Sequence, residues 1–205
     1  MNFLSIDCSM DEASFFLKIK SKTFNKVLQS DKSNNDLLMK EILAFFKENN
    51  LKFEDINKIF VNRGPGNFSG LRGSLAIAKG ISISKNLNLF GYDTFILSCA
   101  SFFNKKDFIY GIIEFRGKYF IKKFGKSLNS ITKIKEITID ELIKKYDNKF
   151  KIIPKNIIKY FDVNLLKMNN LSVVDLDYNE LEFLQLKGLL DEKLIKPIYL
   201  SSKFF

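Results

Sequence analysis

Half of the chain's ten glycines fall between Gly64 and Gly80, in the run Arg63-Gly64-Pro65-Gly66-Asn67-Phe68-Ser69-Gly70-Leu71-Arg72-Gly73, which continues as Ser74-Leu75-Ala76-Ile77-Ala78-Lys79-Gly80. A short β-type stretch, Lys58-Ile59-Phe60-Val61-Asn62, precedes it, and Leu71, Leu75 and Ala78 recur at helical spacing, so the segment reads as strand, turn and helix. Proline fixes φ in the turn, while Gly64 and Gly66 permit positive φ or close backbone approach. Either a phosphate-cradling loop or a plain tight turn would need that. The Lys and Ser/Thr that complete a P-loop are missing from their places, and the dinucleotide fingerprint does not fit.

The later glycines demand a separate account, because glycine inside a helix costs ~1 kcal/mol relative to alanine. Gly70, Gly73, Ile77, Gly80 and Ser84 follow a three-then-four spacing and make a shallow stripe that another helix could approach closely, within the chain or on a partner. From Asn35 to Asn49 a second helix carries Leu37, Leu38, Met39, Ile42, Leu43, Ala44, Phe45 and Phe46, more apolar residues than one buried face needs. Either it is central and buried all round, or its outer face meets another protein.

Gly64-Pro65-Gly66-Asn67-Phe68-Ser69-Gly70-Leu71-Arg72, followed by Ala76 to Gly80, resembles the hallmark of the bacterial TsaB (YeaZ) family, Gly-Pro-Gly-Ser-Phe-Thr-Gly-Leu-Arg. The opening Leu4-Ser5-Ile6-Asp7-Cys8-Ser9 is similar to that family's first strand, and Pro197-Ile198-Tyr199-Leu200 to its closing Pro-x-Tyr-Leu-Arg. The chain departs from the pattern at Asn67, Ser69, Gly73 and Ser201. It also has Ser33-Asn34-Asn35-Asp36, a helix-capping sequence, where the family often has His-Ser-Glu.

The resemblance implies an α/β fold of the actin, Hsp70 and sugar-kinase class, two lobes of ribonuclease H-like topology with mixed sheets and helical cover. It also implies a catalytically degenerate subunit that pairs with a larger paralogue, TsaD. That paralogue transfers a threonylcarbamoyl group to N6 of the adenosine beside the anticodon in tRNA, and an ATPase, TsaE, joins them. On this resemblance the partner-binding residues are Leu38, Ile42, Phe45, Gly70, Gly73, Ile77 and Gly80, with homodimerisation through the same surface when the partner is absent. Gly64, Gly66 and Arg72 are candidates for contact with a nucleotide or the interface. No cofactor is required by the chain itself, with ATP or ADP a candidate at the complex interface.

Composition narrows the chemistry. The 205 residues are 46% hydrophobic, enough for one large domain or two small lobes with cores. The sequence contains no histidine, which excludes histidine-based nucleophilic centres and any histidine-bearing metal site, including the paired histidines of the TsaD paralogue. Cys8 and Cys99 show no metal-ligand spacing and read as free packing thiols of a reducing cytoplasm. The first residues lack a basic, then long apolar, leader, and no run approaches a membrane span, so the expected location is cytoplasmic. Asp7 stands where metal-dependent nucleases and actin-class ATPases place a strand-end aspartate. No matching acid ends the next strand, however, and Cys8-Ser9-Met10 replaces the expected glycine turn, so Asp7 reads as structural.

Charge is uneven. Residues 101 to 160 hold 15 Lys plus Arg against 6 Asp plus Glu, while 161 to 205 is net negative. Lys105, Lys106, Arg116, Lys118, Lys122 and Lys123, interleaved with Phe108, Phe115, Tyr119, Phe120 and Phe124, are candidates for tRNA phosphates, the alternative being an ordinary solvated sheet face.

The patterning predicts strands at 2 to 7, 13 to 19 and 24 to 29, a helix at 35 to 49, a strand at 58 to 62 and the glycine-rich helix. A short strand at 89 to 92 and a helix at 94 to 103 follow, then strands at 108 to 115 and 119 to 124 with a hairpin turn at Arg116-Gly117-Lys118. Beyond these the pattern predicts a helix at 140 to 146, a strand at 150 to 153 and a helix at 178 to 190. The expected division is an amino-terminal lobe, 1 to 100, carrying the partner helices, and a smaller basic lobe, 101 to 205. No internal sequence repeat is visible. The expected function is a non-catalytic subunit that binds and activates a TsaD-like transferase. An ATP-binding enzyme of the actin and sugar-kinase class and a stand-alone RNA-binding module are the alternatives.

Overall fold

The computed structural model describes residues 2–10, 12–28, 35–192 and 195–200. The chain divides into two compact units, one formed by residues 1–93 with 181–205 and the other by 94–180.

In the first unit, β1 (Phe3–Asp7), β2 (Ala13–Ile19) and β3 (Lys22–Leu28) form an antiparallel meander. Helix α1 (Asn35–Glu48) then crosses to β4 (Lys58–Asn62), parallel to β1, and α2 (Phe68–Lys85) crosses to β5 (Asn88–Tyr92), parallel to β4. The sheet order is therefore β3-β2-β1-β4-β5. Period-two alternation sorts the strands' side chains onto two faces. Leu4, Ile6, Phe15, Leu17, Ile59 and Val61 point to one core with Leu38, Ile42 and Phe45 of α1 and Leu75, Ala78 and Ile81 of α2. The other face is aromatic: Phe3 lies against Phe16 and Phe60, and Phe60 against Phe90. Helix α6 (Glu180–Leu186) returns to this unit, its Glu182 paired with Lys18 at 2.9 Å and its Gln185 accepting from Lys58 at 2.6 Å. Just beyond it, the backbones of Gly91 and Asp191 exchange two hydrogen bonds.

The second unit repeats this arrangement. Strands β6 (Phe108–Phe115), β7 (Lys118–Gly125) and β8 (Lys135–Ile137) are an antiparallel meander. Helix α4 (Ile139–Tyr146) leads to β9 (Lys151–Pro154), parallel to β6, and a 3-10 turn with α5 (Val163–Leu166) leads to β10 (Leu171–Val174), parallel to β9. The order β10-β9-β6-β7-β8 is that of the first sheet read from its other edge. The repeat invisible in the sequence is thus present in the topology, because meander, helix, parallel strand, helical crossover and parallel strand can be specified by patterning without shared residues. Helix α3 (Thr94–Cys99) packs one face, where a Cβ on Gly111 would meet Phe95 at 3.1 Å. On the other face Tyr110 meets Tyr146 of α4, and Tyr119 meets Phe161.

The fold is the mixed two-lobed α/β architecture that the resemblance implies, but its division differs from a simple cut near Ala100. Residues 181–192 carry the buried Leu181 and Leu184 and the pairings to β2, β4 and β5, so they belong with the first unit. The hairpin turn is two residues long. Arg116 (φ 54°) and Gly117 (φ 76°) both take positive φ, as a primed turn requires, and Lys118 already pairs with Phe115. The predicted end of β3 at Gln29, the Ser33-Asn34 cap and Ser201 lie outside the described residues. Among the described residues no helix is long and apolar enough to cross a membrane.

Lys151 is wholly buried at the start of β9. Its ammonium donates to the carbonyls of Tyr146, Asp147, Lys149 and Asn169 at 2.6–2.8 Å, tying the end of α4 to the loop before β10. Burial pulls its pKa below the ordinary lysine value, while the Asp147 carboxylate acts in the opposite sense.

Candidate functional site

The glycine segment begins where β4 ends, and its first task is to close on the end of β1. Asn62 donates from its side chain to Asp7 Oδ2 at 2.8 Å and to Ser9 Oγ at 3.2 Å, while its Oδ1 accepts from the Gly64 amide at 2.8 Å. Asp7 Oδ1 accepts from the Ser9 amide at 3.0 Å and the Ser9 hydroxyl at 2.7 Å. Both carboxylate oxygens are thus turned to the chain's own donors in a buried position, a structural use of the strand-end aspartate. Gly64 takes φ +106°, a conformation that L side chains rarely adopt. A Cβ on Gly66 would stand 1.8 Å from Ser9 O, and one on Gly70 2.3 Å from Cys8 O. Asn67 donates its amide to Ser9 O at 2.7 Å and caps α2 with its side chain, which accepts from the Ser69 amide. Burial, and then the neighbouring Asp7 charge, push the Cys8 thiol far above its ordinary pKa, so it is a packing group.

Gly64, Gly66 and Arg72, the candidates for a nucleotide or interface contact, do not converge. Both glycines are buried against the chain's own backbone, whereas Arg72 is exposed, its guanidinium 3.9 Å from the Phe68 ring and its Nε donating to Tyr199 Oη at 2.9 Å. Phe68 and Tyr199 also face each other at 5.0 Å.

The expected partner residues also separate. Leu38, Ile42 and Phe45 are buried in the sheet core, and half-buried Gly70 turns the side where a Cβ would stand onto Cys8 O. Of the two readings left open for this helix, central or outward-facing, these three side chains take the central one. Spaced i, i+4 and i+7, they form the helix's inward stripe. Gly73 and Ile77 are half-buried at the edge of the core, and Gly80 is exposed with nothing within 4 Å of a built Cβ. At 3.6 residues per turn, Gly80 lies about 80° around the helix from Gly70, so one stripe spans an inner edge and an outer one. Gly80 and Arg72, both named from the sequence, lie on the outer face of α2 with Phe68, Ala76 and Ile83, which the sequence reading did not assign to it. Ile83 is 83% exposed. Helical phase counted from Leu75 and Ala78 carries the signal for that face.

The basic candidates fall into two groups. Arg116 and Lys118 lie at the hairpin turn, where Lys118 pairs with Glu136 at 2.7 Å. Lys105 and Lys106 lie in the loop before β6 at the hairpin's open end, beside the carboxyl-terminal half of β7, where Lys122 and Lys123 sit. Adjacent strand residues face opposite ways, so Lys122 shares the side of Gly111 and α3, and Lys123 the side of Phe108 and Tyr110.

A model of the TsaD family, tRNA N6-adenosine threonylcarbamoyltransferase, matches residues 29–107. A protein of Buchnera aphidicola from Baizongia pistaciae, named tRNA threonylcarbamoyladenosine biosynthesis protein TsaB, is 28% identical over 221 aligned positions that cover 98% of each chain. The like-named protein of Buchnera aphidicola from Schizaphis graminum is 23% identical over 86% of this chain and 93% of its own length. Among solved structures, YeaZ of Pseudomonas aeruginosa superimposes with a TM-score of 0.70 at 13% identity, over 97% of this chain and 99% of its own. A second Pseudomonas aeruginosa structure, described as an uncharacterized protein with similarity to peptidase YEAZ, gives 0.72 at 13% identity over 98% and 99%. The structural likeness is one of fold.

Proposed function

The chain belongs to the TsaB (YeaZ) family and takes part in tRNA threonylcarbamoyladenosine biosynthesis, and on that premise we propose that it is the non-catalytic subunit that binds and activates a TsaD-like transferase. The observation that carries the partner role is the outer face of α2, where Gly80 opens onto empty space beside an Ile83 that is 83% exposed. Ala76 and Gly80 keep that face low enough for a partner helix to lie close, and Ile83 supplies the apolar contact. Burying Ile83 contributes about 1.5–3 kcal/mol by transfer alone. Arg72, held on Phe68 and Tyr199, adds a pre-oriented guanidinium for a carboxylate or phosphate on the partner's side.

A histidine-free sequence and an Asp7 engaged by Ser9 and Asn62 support a supporting rather than a chemical part in the reaction. A TsaE-like ATPase, an adenine nucleotide at the complex interface and self-association through the same face in the partner's absence complete the proposal.

Light scattering after size-exclusion chromatography tests it, with the chain alone and mixed with the TsaD-like subunit of the same organism. A mixed complex is expected, and Ile83→Asp weakens it at least about ten-fold, in line with the transfer energy of one isoleucine. Gly80→Leu blocks it while the single chain stays folded with a melting temperature no lower than before, since the monomer has room for the side chain. Full association by both variants would refute this face as the interface.

A further inference from the structure

The second unit carries a surface that the partner role does not use. At the open end of the β6–β7 hairpin the Lys123 ammonium lies 3.8 Å from the centre of the Phe108 ring and 5.7 Å from that of Tyr110. Across the sheet at the same end, on the side where Phe150 meets Phe102, Lys106 lies 4.8 Å from the centre of the Phe150 ring; Lys105 and Lys126 are exposed in the two loops that close this end, with Asn104 donating its amide to Lys126 O at 2.8 Å. Phe108 is 50% exposed. Among the described residues, no ion pair is formed by Lys105, Lys106, Lys123 or Lys126, whereas Lys118, at the hairpin's turn, has Glu136. Asp107 interrupts the lysines, and Asp147 is engaged by the side-chain and backbone amides of Asn169.

Cations resting on aromatic faces keep their charge available, because the ring quadrupole holds the ammonium without neutralising it. A half-exposed ring among such cations is the arrangement by which proteins take unpaired nucleotides, the ring stacking a base and the lysines taking the flanking phosphates. The five-residue step along β7 from Lys118 to Lys123 spans about 17 Å, which sets the turn-end cations apart from the open-end group. We propose that Lys105, Lys106, Phe108, Lys123 and Lys126 form a binding surface for single-stranded RNA, such as an unpaired loop of the tRNA substrate. The choice of RNA over an acidic protein rests on the functional reading above. The exposed ring favours it independently, since an acidic partner would need the charges alone.

The test is fluorescence anisotropy of the full-length chain with a labelled, unpaired 12-nucleotide oligoribonucleotide, titrated at several salt concentrations. Phe108→Ala and Phe108→Leu each weaken binding roughly ten-fold, the leucine variant keeping apolar bulk without a stacking face. Lys106→Ala with Lys123→Ala lowers the slope of log affinity against log salt by about 1.4, or about 0.7 for each phosphate contact on a single strand. Arg116→Ala with Lys118→Ala, which removes the same charge at the turn, leaves the slope unchanged. Equal loss from the turn-end pair, or no oligoribonucleotide binding by the unaltered chain in low salt, would overturn the proposal. Co-elution of the open-end variants with the TsaD-like subunit reads the partner role separately, so either reading can fail while the other stands.

Discussion

Two alanine substitutions on one helix should move stability in opposite directions. Gly80 is exposed, has ordinary helical φ and meets nothing within 4 Å of a built Cβ. Gly80→Ala therefore recovers the helix propensity that glycine forfeits, about 0.8–1 kcal/mol, and raises Tm by about 2–4 °C in a chain of this length. Gly70 lies in the first turn of α2, and its Cβ would stand 2.3 Å from Cys8 O, where ordinary contact begins near 3.4 Å. The obstacle is backbone at the end of β1, next to the Ser9 carbonyl that holds Asn67 and the hydrogen bonds of Asp7. Helix and turn must part by a little over 1 Å, and overpacking of that kind costs about 1–3 kcal/mol, more than a first-turn alanine returns. Gly70→Ala should lower Tm by about 2–8 °C. Thermal and urea unfolding of the full chain, followed by far-ultraviolet circular dichroism, read both. A rise for both variants would show that Gly70 is not pinched, and a fall for Gly80→Ala would show that its face is already packed in the monomer.

Two further outcomes concern the second unit. Lys151→Met keeps the bulk of the side chain but leaves the carbonyls of Tyr146, Asp147, Lys149 and Asn169 without their donor. A loss of about 3 kcal/mol or more is expected by chemical denaturation, and a change within error would show that water replaces the ammonium at no cost. Asp147, accepting from the backbone and side-chain amides of Asn169, is held below the ordinary carboxylate pKa by those bonds and then by Lys151. Because its folded pKa is depressed, its contribution is present above the ordinary value and is lost as pH falls through the folded one. The stability gap between the native chain and Asp147→Asn should be full at pH 7 and close below about pH 4. A gap that persists unchanged in acid would contradict this.

Local patterning carried most of the fold. The alternation at 13–19 and 108–115, the apolar run at 58–62 and the recurrence of Leu71, Leu75 and Ala78 each specify a period, and the strands and helix appear where those periods place them. Strands β8 and β10 were not legible. They are three and four residues long, lie at the sheet's two edges and depend on partners far away in sequence. The candidate site was legible as a segment but not as a surface. Glycine spacing marks α2 as unusual without telling an inner glycine, pressed on Cys8 O, from an outer one such as Gly80. On α1, eight apolar residues hide which stripe faces the sheet, and only the phase against β1 and β4 sends Leu38, Ile42 and Phe45 inward. Lys122 and Lys123 read as one patch in the chain, but strand geometry sets them on opposite faces.

The return of residues 181–192 to the first sheet makes completion of the protein directional on the ribosome. Residues 94–180 are continuous, so every strand and helix of that unit is in hand once residue 180 clears the exit tunnel. The first unit has by then made its whole sheet but still lacks Leu181, Leu184 and the pairings from Glu182 and Gln185. A nascent chain paused at that point carries a finished later unit and an unfinished earlier one. The aromatic face of Phe3, Phe16 and Phe60 is then still without α6, whose Glu182 and Gln185 reach Lys18 and Lys58 on that side of the sheet.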